Sequence, residues 1–399
     1  MTIFWLCLVV GALALHELVA WRAGTRYSKR AALRQVLLLV LLAAAVGLGS
    51  RPPLINRLAA LTASPPRPLG FDPGGDPALR LVLQEQRPER PFPDGGSRDE
   101  VSAWQQHVID AIRARAEISG DPPQHVPVTI LESTEIGAVR RSFVRFTSDD
   151  GTSIPAYVHE PIEGGTFGGV LVVPGHGSGI RATAGLISDY QHGAALELAK
   201  HGYVTLTPEL RGFGFLTADG ASTHRAVAFA ALEAGSFYKA AIVRDLRLAL
   251  TVLQQWDRID PSRLAVAGTS LGAEIAVLLG VVDSRPRVIL SHSYGGASGP
   301  VRVAEWVTDE TRQTPHGCHT IPGINRIVWH EDWFRLLAPR AVLVARGATD
   351  MTRSPDAFRR AVGDAFEAFG AGDRFEFSVH EGDHEFFITP AVDFLRRWL

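Results

Sequence analysis

Cysteine is almost missing from this 399-residue chain, which has only Cys7 and Cys318. Cys7 falls in an apolar run that reads as membrane-embedded, so the two are not expected to meet, and a disulfide framework is excluded. The scarcity does not choose a compartment, because exported bacterial enzymes often lack disulfides. Excess charge of either sign is missing too. A formal net charge of -2 offers no electrostatic footprint for nucleic acid. Internal repeats of solenoid length are also absent. What is present is 46% hydrophobic and 21% charged residues, enough apolar material for a large core. At this length a catalytic domain with an appendage is expected.

Two apolar segments open the chain: Ile3 to Ala20, interrupted by His16 and Glu17, and Val36 to Gly49, uninterrupted. Between them lie Arg22, Arg26, Lys29, Arg30 and Arg34. Residues 1–50 therefore read as two hydrophobic helices forming a hairpin anchored in the lipid bilayer, or as a signal region whose second run is the apolar core. A buried helical pair is a third reading. The basic stretch keeps to the cytoplasm in either membrane case, which places the catalytic domain on the extracytoplasmic side. Residues 51–96 are rich in proline and glycine and read as a linker.

Residues 97–399 are expected to form the main domain. Val101, Trp104, Val108, Ile109, Ile112 and Ala116 follow helical spacing behind the capping candidates Ser97 and Asp99. Val139 to Thr147 and Ser153 to His159 flank Asp149-Asp-Gly151 as an antiparallel hairpin at the leading edge of a sheet. Beyond residue 165 short β-branched runs alternate with helical stretches: Val170–Val173, Tyr203–Thr207, Leu264–Ala267, Val288–Leu290, Ala341–Val344 and Phe375–Val379. Strand and helix in alternation predict an α/β fold, a mostly parallel sheet with helices on both faces. Reactive groups in such sheets gather at the carboxyl ends of strands.

Gly268-Thr-Ser-Leu-Gly272 stands at such an end, between Leu264–Ala267 and an apolar helical run. A strand-to-helix elbow exposes its central serine, and flanking glycines remove side chains that would collide in the turn. Ser270 is therefore the expected nucleophile. Ser293, in Ser291-His-Ser-Tyr-Gly-Gly296, also follows a strand, but Ala297-Ser-Gly-Pro300 cannot readily begin a helix. Ser291 and His292 are candidates to line a pocket. A serine needs a base, and the base an orienting acid. His384, in a glycine-bounded loop after the last strand, is the expected base, with His380 a structural histidine closer to the strand. Asp350, in Gly347-Ala-Thr-Asp350, is the expected acid. Oxyanion donors are the Leu271 amide and one amide from Pro174-Gly-His-Gly-Ser-Gly179, either His176 or Ser178, with His176 favoured as closer to the strand.

The order Ser270, Asp350, His384 resembles that of the α/β-hydrolase superfamily. The resemblance is narrower to its bacterial dienelactone-hydrolase-like and acetyl-xylan-esterase-like branch, and covers residues 100–399. Leu198-Ala-Lys-His-Gly-Tyr203, Glu209-Leu-Arg-Gly-Phe-Gly214, Val243-Arg-Asp-Leu-Arg247, His316-Gly-Cys-His-Thr-Ile-Pro-Gly323 and Leu337-Ala-Pro-Arg-Ala341 carry it. Dienelactone hydrolases use a cysteine nucleophile where this chain has Ser270. Acetyl xylan esterases show Arg-Gly-Gln and a Gln after the serine, against Arg211-Gly-Phe213 and Leu271 here, so xylan deacetylation does not transfer.

The resemblance implies a serine carboxylic-ester hydrolase acting on a small-molecule or carbohydrate ester, with no cofactor. A prolyl-oligopeptidase-like peptidase and a non-catalytic membrane-tethered binding module are the alternatives. His316, Cys318 and His319 crowd three ligand types into four residues, a poor match to zinc spacing, so no metal is expected and the segment reads as a loop at the pocket mouth.

Overall fold

The computed structural model describes residues 87–217, 223–299, 317–351 and 354–399. The expected bilayer segment 1–50 and most of the linker 51–96 lie outside the described residues. Among the described residues no single helix is long and apolar enough to cross a membrane.

The first helix, α1 (Arg98–Arg115), is started by Ser97: its hydroxyl accepts from Glu100 N, and the Glu100 carboxylate accepts from Ser97 N at 2.8 Å. Two otherwise unsatisfied donors are paired in this reciprocal cap. Asp99, the other capping candidate, lies within the first turn. Val101, Trp104, Val108 and Ile112 are buried, the stripe expected from helical spacing. Phe92, from the expected linker, meets Trp104 edge to face with ring centroids 5.1 Å apart.

Nine strands follow among the described residues: β1 (Val128–Ile136), β2 (Val139–Thr147), β3 (Ser153–Pro161), β4 (Phe167–Val173), β5 (Val204–Pro208), β6 (Ile259–Thr269), β7 (Val288–His292), β8 (Ala341–Gly347) and β9 (Phe375–His380). They form one sheet in the order β1-β2-β3-β5-β4-β6-β7-β8-β9. The expected hairpin is β2–β3, with Thr147 opposite Ser153. It is not the edge, because β1 pairs outside it. Nearly every residue of β1 is exposed, so it lacks the buried alternate face by which a strand is recognised.

From β5 to β9 neighbouring strands are parallel; β4, β5, β7 and β8 are buried on both faces, whereas the edge strand β9 buries only Phe377. Between the strands run α2 (Ile180–Thr183), α3 (Ala194–Lys200), α4 (His224–Glu233), α5 (Tyr238–Gln254), α6 (Leu271–Val282), α7 (Asp332–Arg335) and α8 (Asp356–Ala368), and α9 (Ile388–Trp398) follows the last strand. Val170 and Val172 pack with Leu198 of α3 and Phe394 of α9. Leu171 and Val173 point the other way, into the cluster that holds Leu246 of α5, Leu279 of α6 and Phe358 of α8. Helix α6 is so enclosed that every residue except Glu274 is buried.

Ser97→Ala removes one half of the α1 cap and should lower stability by about 1 kcal/mol in urea titration. An unchanged midpoint would show that α1 is held by packing alone.

Candidate active site

Strand β6 ends at Thr269 and α6 begins at Leu271, so Ser270 alone makes the turn. It does so at φ 58° and ψ -124°, a conformation that a non-glycine residue keeps only when its surroundings force it. The two glycines explain the force. A Cβ on Gly268 would lie 2.3 Å from Gly272 O, and one on Gly272 would lie 2.2 Å from Val173 O, at the end of β4. The amide of Ser270 donates to His292 O at 2.9 Å. The Leu271 amide opens α6, where the first N–H groups have no intrahelical acceptor and face any developing negative charge.

Ser293 also has a positive φ, 56°, so strain does not separate the two serines. Their surroundings do. The Ser293 hydroxyl donates to Glu385 O at 3.1 Å, and residues 294–299 form no helix. Ser291 and His292, read as pocket-lining candidates, are fully buried instead. The Ser291 hydroxyl donates to Tyr294 O at 2.9 Å, and His292 Nδ1 accepts from Phe387 N at 3.1 Å.

Asp350 and His384 occupy loops after β8 and β9, and His384 Nδ1 lies 2.9 Å from Asp350 Oδ1. Arg346 donates from Nε to Asp350 Oδ2 at 3.1 Å, a partner that sequence reasoning missed. Burial, the largest influence, pushes the Asp350 carboxyl up; the His384 hydrogen bond and the Arg346 charge outweigh it and hold the pKa below its ordinary value. His380, expected to be structural, has its Nε2 2.8 Å from Ser378 Oγ.

Tyr190 was also missed. Its hydroxyl donates to His176 O at 2.7 Å and lies near enough to the Ser270 side chain to feel it electrostatically. Its ring centroid lies 5.7 Å from that of His384. One side chain thus adjoins three of the candidate residues, from an irregular stretch, Ser188-Asp-Tyr-Gln191, that has neither periodicity nor motif. In the loop after β4, Gly175 N donates to Gln191 Oε1 at 2.7 Å, so that amide is committed elsewhere. Ser178 is exposed, whereas His176 is half-buried.

Glu209 organises the loops around the site. Only 2% exposed, it accepts from Ile180 N at 3.2 Å, Leu210 N at 3.3 Å and Phe215 N at 3.1 Å. Burial nevertheless pushes its carboxyl up to about 7. Arg211, two residues on, forms a double contact with Asp245 of α5, Nε to Oδ2 at 2.7 Å and Nη2 to Oδ1 at 2.9 Å. Its Nη1 reaches Asp150 Oδ2 at 2.6 Å, in the β2–β3 turn. The Glu209–Gly214 and Val243–Arg247 stretches therefore meet in space.

A cavity of about 440 Å³ is lined by Arg113, Arg247, Asp283 and Arg285, beyond the carboxyl end of α6 and so away from Ser270. Arg285 is spent on Asp283, Thr251, Gln254 and the Arg247 carbonyl, and Arg247 on Asp283 and Gly120 O. This cavity has the chemistry of a structural network.

The Glu209 shift carries a sign. A carboxyl whose folded pKa stands above its ordinary 4.5 retains its proton longer in the folded state, so stability falls as pH rises from about 4.5 to about 7 and is level above that. The fall is at most roughly 3 kcal/mol at 1.36 kcal/mol per pH unit. Urea titrations across this range should show it in the wild type and not in Glu209→Gln; equal slopes would refute the assignment to Glu209.

A scan against protein-family models and a search of curated proteins return no match. Solved structures do match. A Bacteroides fragilis NCTC 9343 protein assigned as an acetyl xylan esterase superposes with a TM-score of 0.65 at 18% identity, over 76% of this chain and 81% of that one. A CE15 esterase from a marine bacterial metagenome gives 0.56 at 15% identity, over 83% and 100%. A glucuronoyl esterase from Solibacter usitatus gives 0.54 at 15% identity, over 77% and 94%. With the elbow after β6 and the nine-stranded sheet, these likenesses show that the chain has the α/β-hydrolase fold.

Proposed function

We propose that the chain is a serine carboxylic-ester hydrolase. The observation that carries this reading is the 2.9 Å contact between His384 and Asp350 at the same strand ends as the strained elbow of Ser270. Ser270 attacks the ester carbonyl, and His384 takes its proton as general base. Asp350, kept ionised by Arg346, fixes the imidazole and stabilises its charged form. The amides of Leu271 and His176 receive the oxyanion. His384 then protonates the leaving alcohol, and water attacks the acyl-enzyme to regenerate Ser270. This chemistry is complete in side chains and amides.

The superposed structures named for acetyl xylan and glucuronoyl esters make a carbohydrate ester the favoured substrate class. Phe213 instead of glutamine after Arg211-Gly, and Leu271 after the serine, argue against xylan acetate itself. We further propose that residues 1–50 hold the domain on the extracytoplasmic face, from the basic stretch between their two apolar runs.

The full-length chain should hydrolyse a short-chain nitrophenyl ester, and Ser270→Ala should lower kcat by at least about 10⁴-fold. Ser293→Ala should retain activity; activity lost only in that variant would reverse the choice of serine. Absence of both hydrolysis and labelling by a serine-directed phosphonate would end the esterase reading. For the location, an alkaline phosphatase reporter joined after residue 51 should be active in intact cells, whereas activity only of a cytoplasmic reporter would overturn it.

A further inference from the structure

The fold assembles a set of side chains that the esterase chemistry does not use. His176, in the loop after β4, meets Cys318 and His319, which belong to a short turn far along the chain. His176 Nε2 lies 3.4 Å from Cys318 Sγ, and the candidate ligand atoms of all three residues lie within 4.8 Å of one another. The ring centroid of His176 lies 5.3 Å from that of His319 and 5.0 Å from that of His224. Local spacing does not reveal this group. His316 was the third residue considered in the sequence, and the partner supplied by the fold is His176.

From this juxtaposition we propose that His176, Cys318 and His319 form a binding site for a divalent transition-metal ion of the zinc type.

Three observations support the choice of ion. Ligand atoms around tetrahedral zinc stand roughly 3.5 Å apart, given Zn–N and Zn–S bonds of about 2.0 and 2.3 Å. The His176–Cys318 pair already has that separation, so closure of the remaining distances is a shift of about 1 Å, within side-chain rotation. The donor set is two imidazoles and a thiolate, which selects zinc-like ions over magnesium or calcium, whose ligands are oxygens. His319 Nδ1 lies 2.6 Å from Glu274 Oε2, so Nε2 would be its ligand atom. A carboxylate behind a ligating histidine is the usual support of a zinc site, because it fixes the ring and raises its basicity.

Glu274 is itself held by Lys239, which also donates to His319 O at 3.0 Å. Cys318 is fully buried, so its sulfur is shielded from oxidants in solution. Burial pushes its thiol up to about 12; on binding, the ion takes the thiolate and one proton leaves to solvent. Three protein ligands leave a fourth position on the ion. The ion would tie the loop after β4, which carries the candidate oxyanion amide, to the 317–319 turn. The site does not depend on the esterase reading, since none of its ligand atoms takes part in the acyl transfer.

Cobalt(II) alone serves as the probe, with the full-length chain stripped by a chelator. One equivalent should bind and give a thiolate-to-cobalt charge-transfer band in the near ultraviolet, displaced by zinc. Cys318→Ser, with an unchanged circular dichroism spectrum, should lose the band. Glu274→Gln keeps all three ligands and should weaken affinity by roughly 10–100-fold. Ser270→Ala should keep the band whatever happens to hydrolysis, which separates failure of this site from failure of the esterase reading. Absence of the band in the wild type, or its persistence in folded Cys318→Ser, would overturn the proposal. Were Cys318→Ser not to fold, zinc-induced elevation of Tm in wild type, reduced in Glu274→Gln, decides the matter; no elevation overturns it.

Discussion

The site rests on one close approach, that of the first turn of α6 to the carboxyl end of β4. Gly272 sits so near Val173 O that any side chain there would force the helix away. With the helix pressed in, the chain has no room for a gradual turn after Thr269, and Ser270 is driven to positive φ. The neighbouring strands hold that strain in place. On one side β4 blocks the helix, and on the other β7 supplies His292 O to the Ser270 amide. A strained residue persists when its surroundings leave it no alternative, and a parallel sheet buried on both faces leaves little. The same contact sets the distance between the Leu271 amide and the loop that begins at Pro174.

Buried and half-buried carboxylates around this turn meet the cost of burial in different ways, and the difference has consequences. Asp350 has a guanidinium and an imidazole as partners, and its pKa is lowered. Glu274 has Lys239 and His319, and although burial is the largest influence its pKa is lowered as well. Glu209 has only three backbone N–H groups, and burial prevails. Dipoles alone do not match a full countercharge in a dry environment. Two carboxylates are therefore held ionised beside the elbow, while the one that joins the loops after β4 and β5 changes charge near neutrality.

What was legible in the sequence follows the same physics. Strands buried on both faces appear as short β-branched runs, and the turns after them are punctuated by glycine, so β4 to β8 and the loop positions of Ser270 and Asp350 could be read directly; β9 and the loop of His384 were legible from the alternation of Phe375-Glu-Phe-Ser-Val379 and the glycine after it. The α1 cap was visible because its partners are three residues apart. Strand β1 was lost because it buries almost nothing and its pattern has no apolar face. Tyr190 and Glu209 were missed for another reason: each acts across loops, on partners that only the fold brings near, whereas Arg346 is four residues from Asp350 and was missed because no motif marks it as that acid's partner. His176 and Cys318 are 142 residues apart, and no local pattern encodes such a contact.

Tyr190 shows how much of the geometry lies in contacts of this kind. Its phenol carries a single proton, and burial raises its pKa, so it is a neutral donor. That proton is given to His176 O, so the oxygen has only lone pairs left to offer a neighbouring donor. Because the peptide unit is planar and trans, holding His176 O against Tyr190 turns the Gly177 N–H to the opposite side of the loop. Gln191, the next residue, takes the Gly175 N–H. Two consecutive side chains thereby fix two peptide planes of the glycine-rich loop. The glycines make the loop's path possible, but its orientation toward the elbow is imposed from the segment before α3.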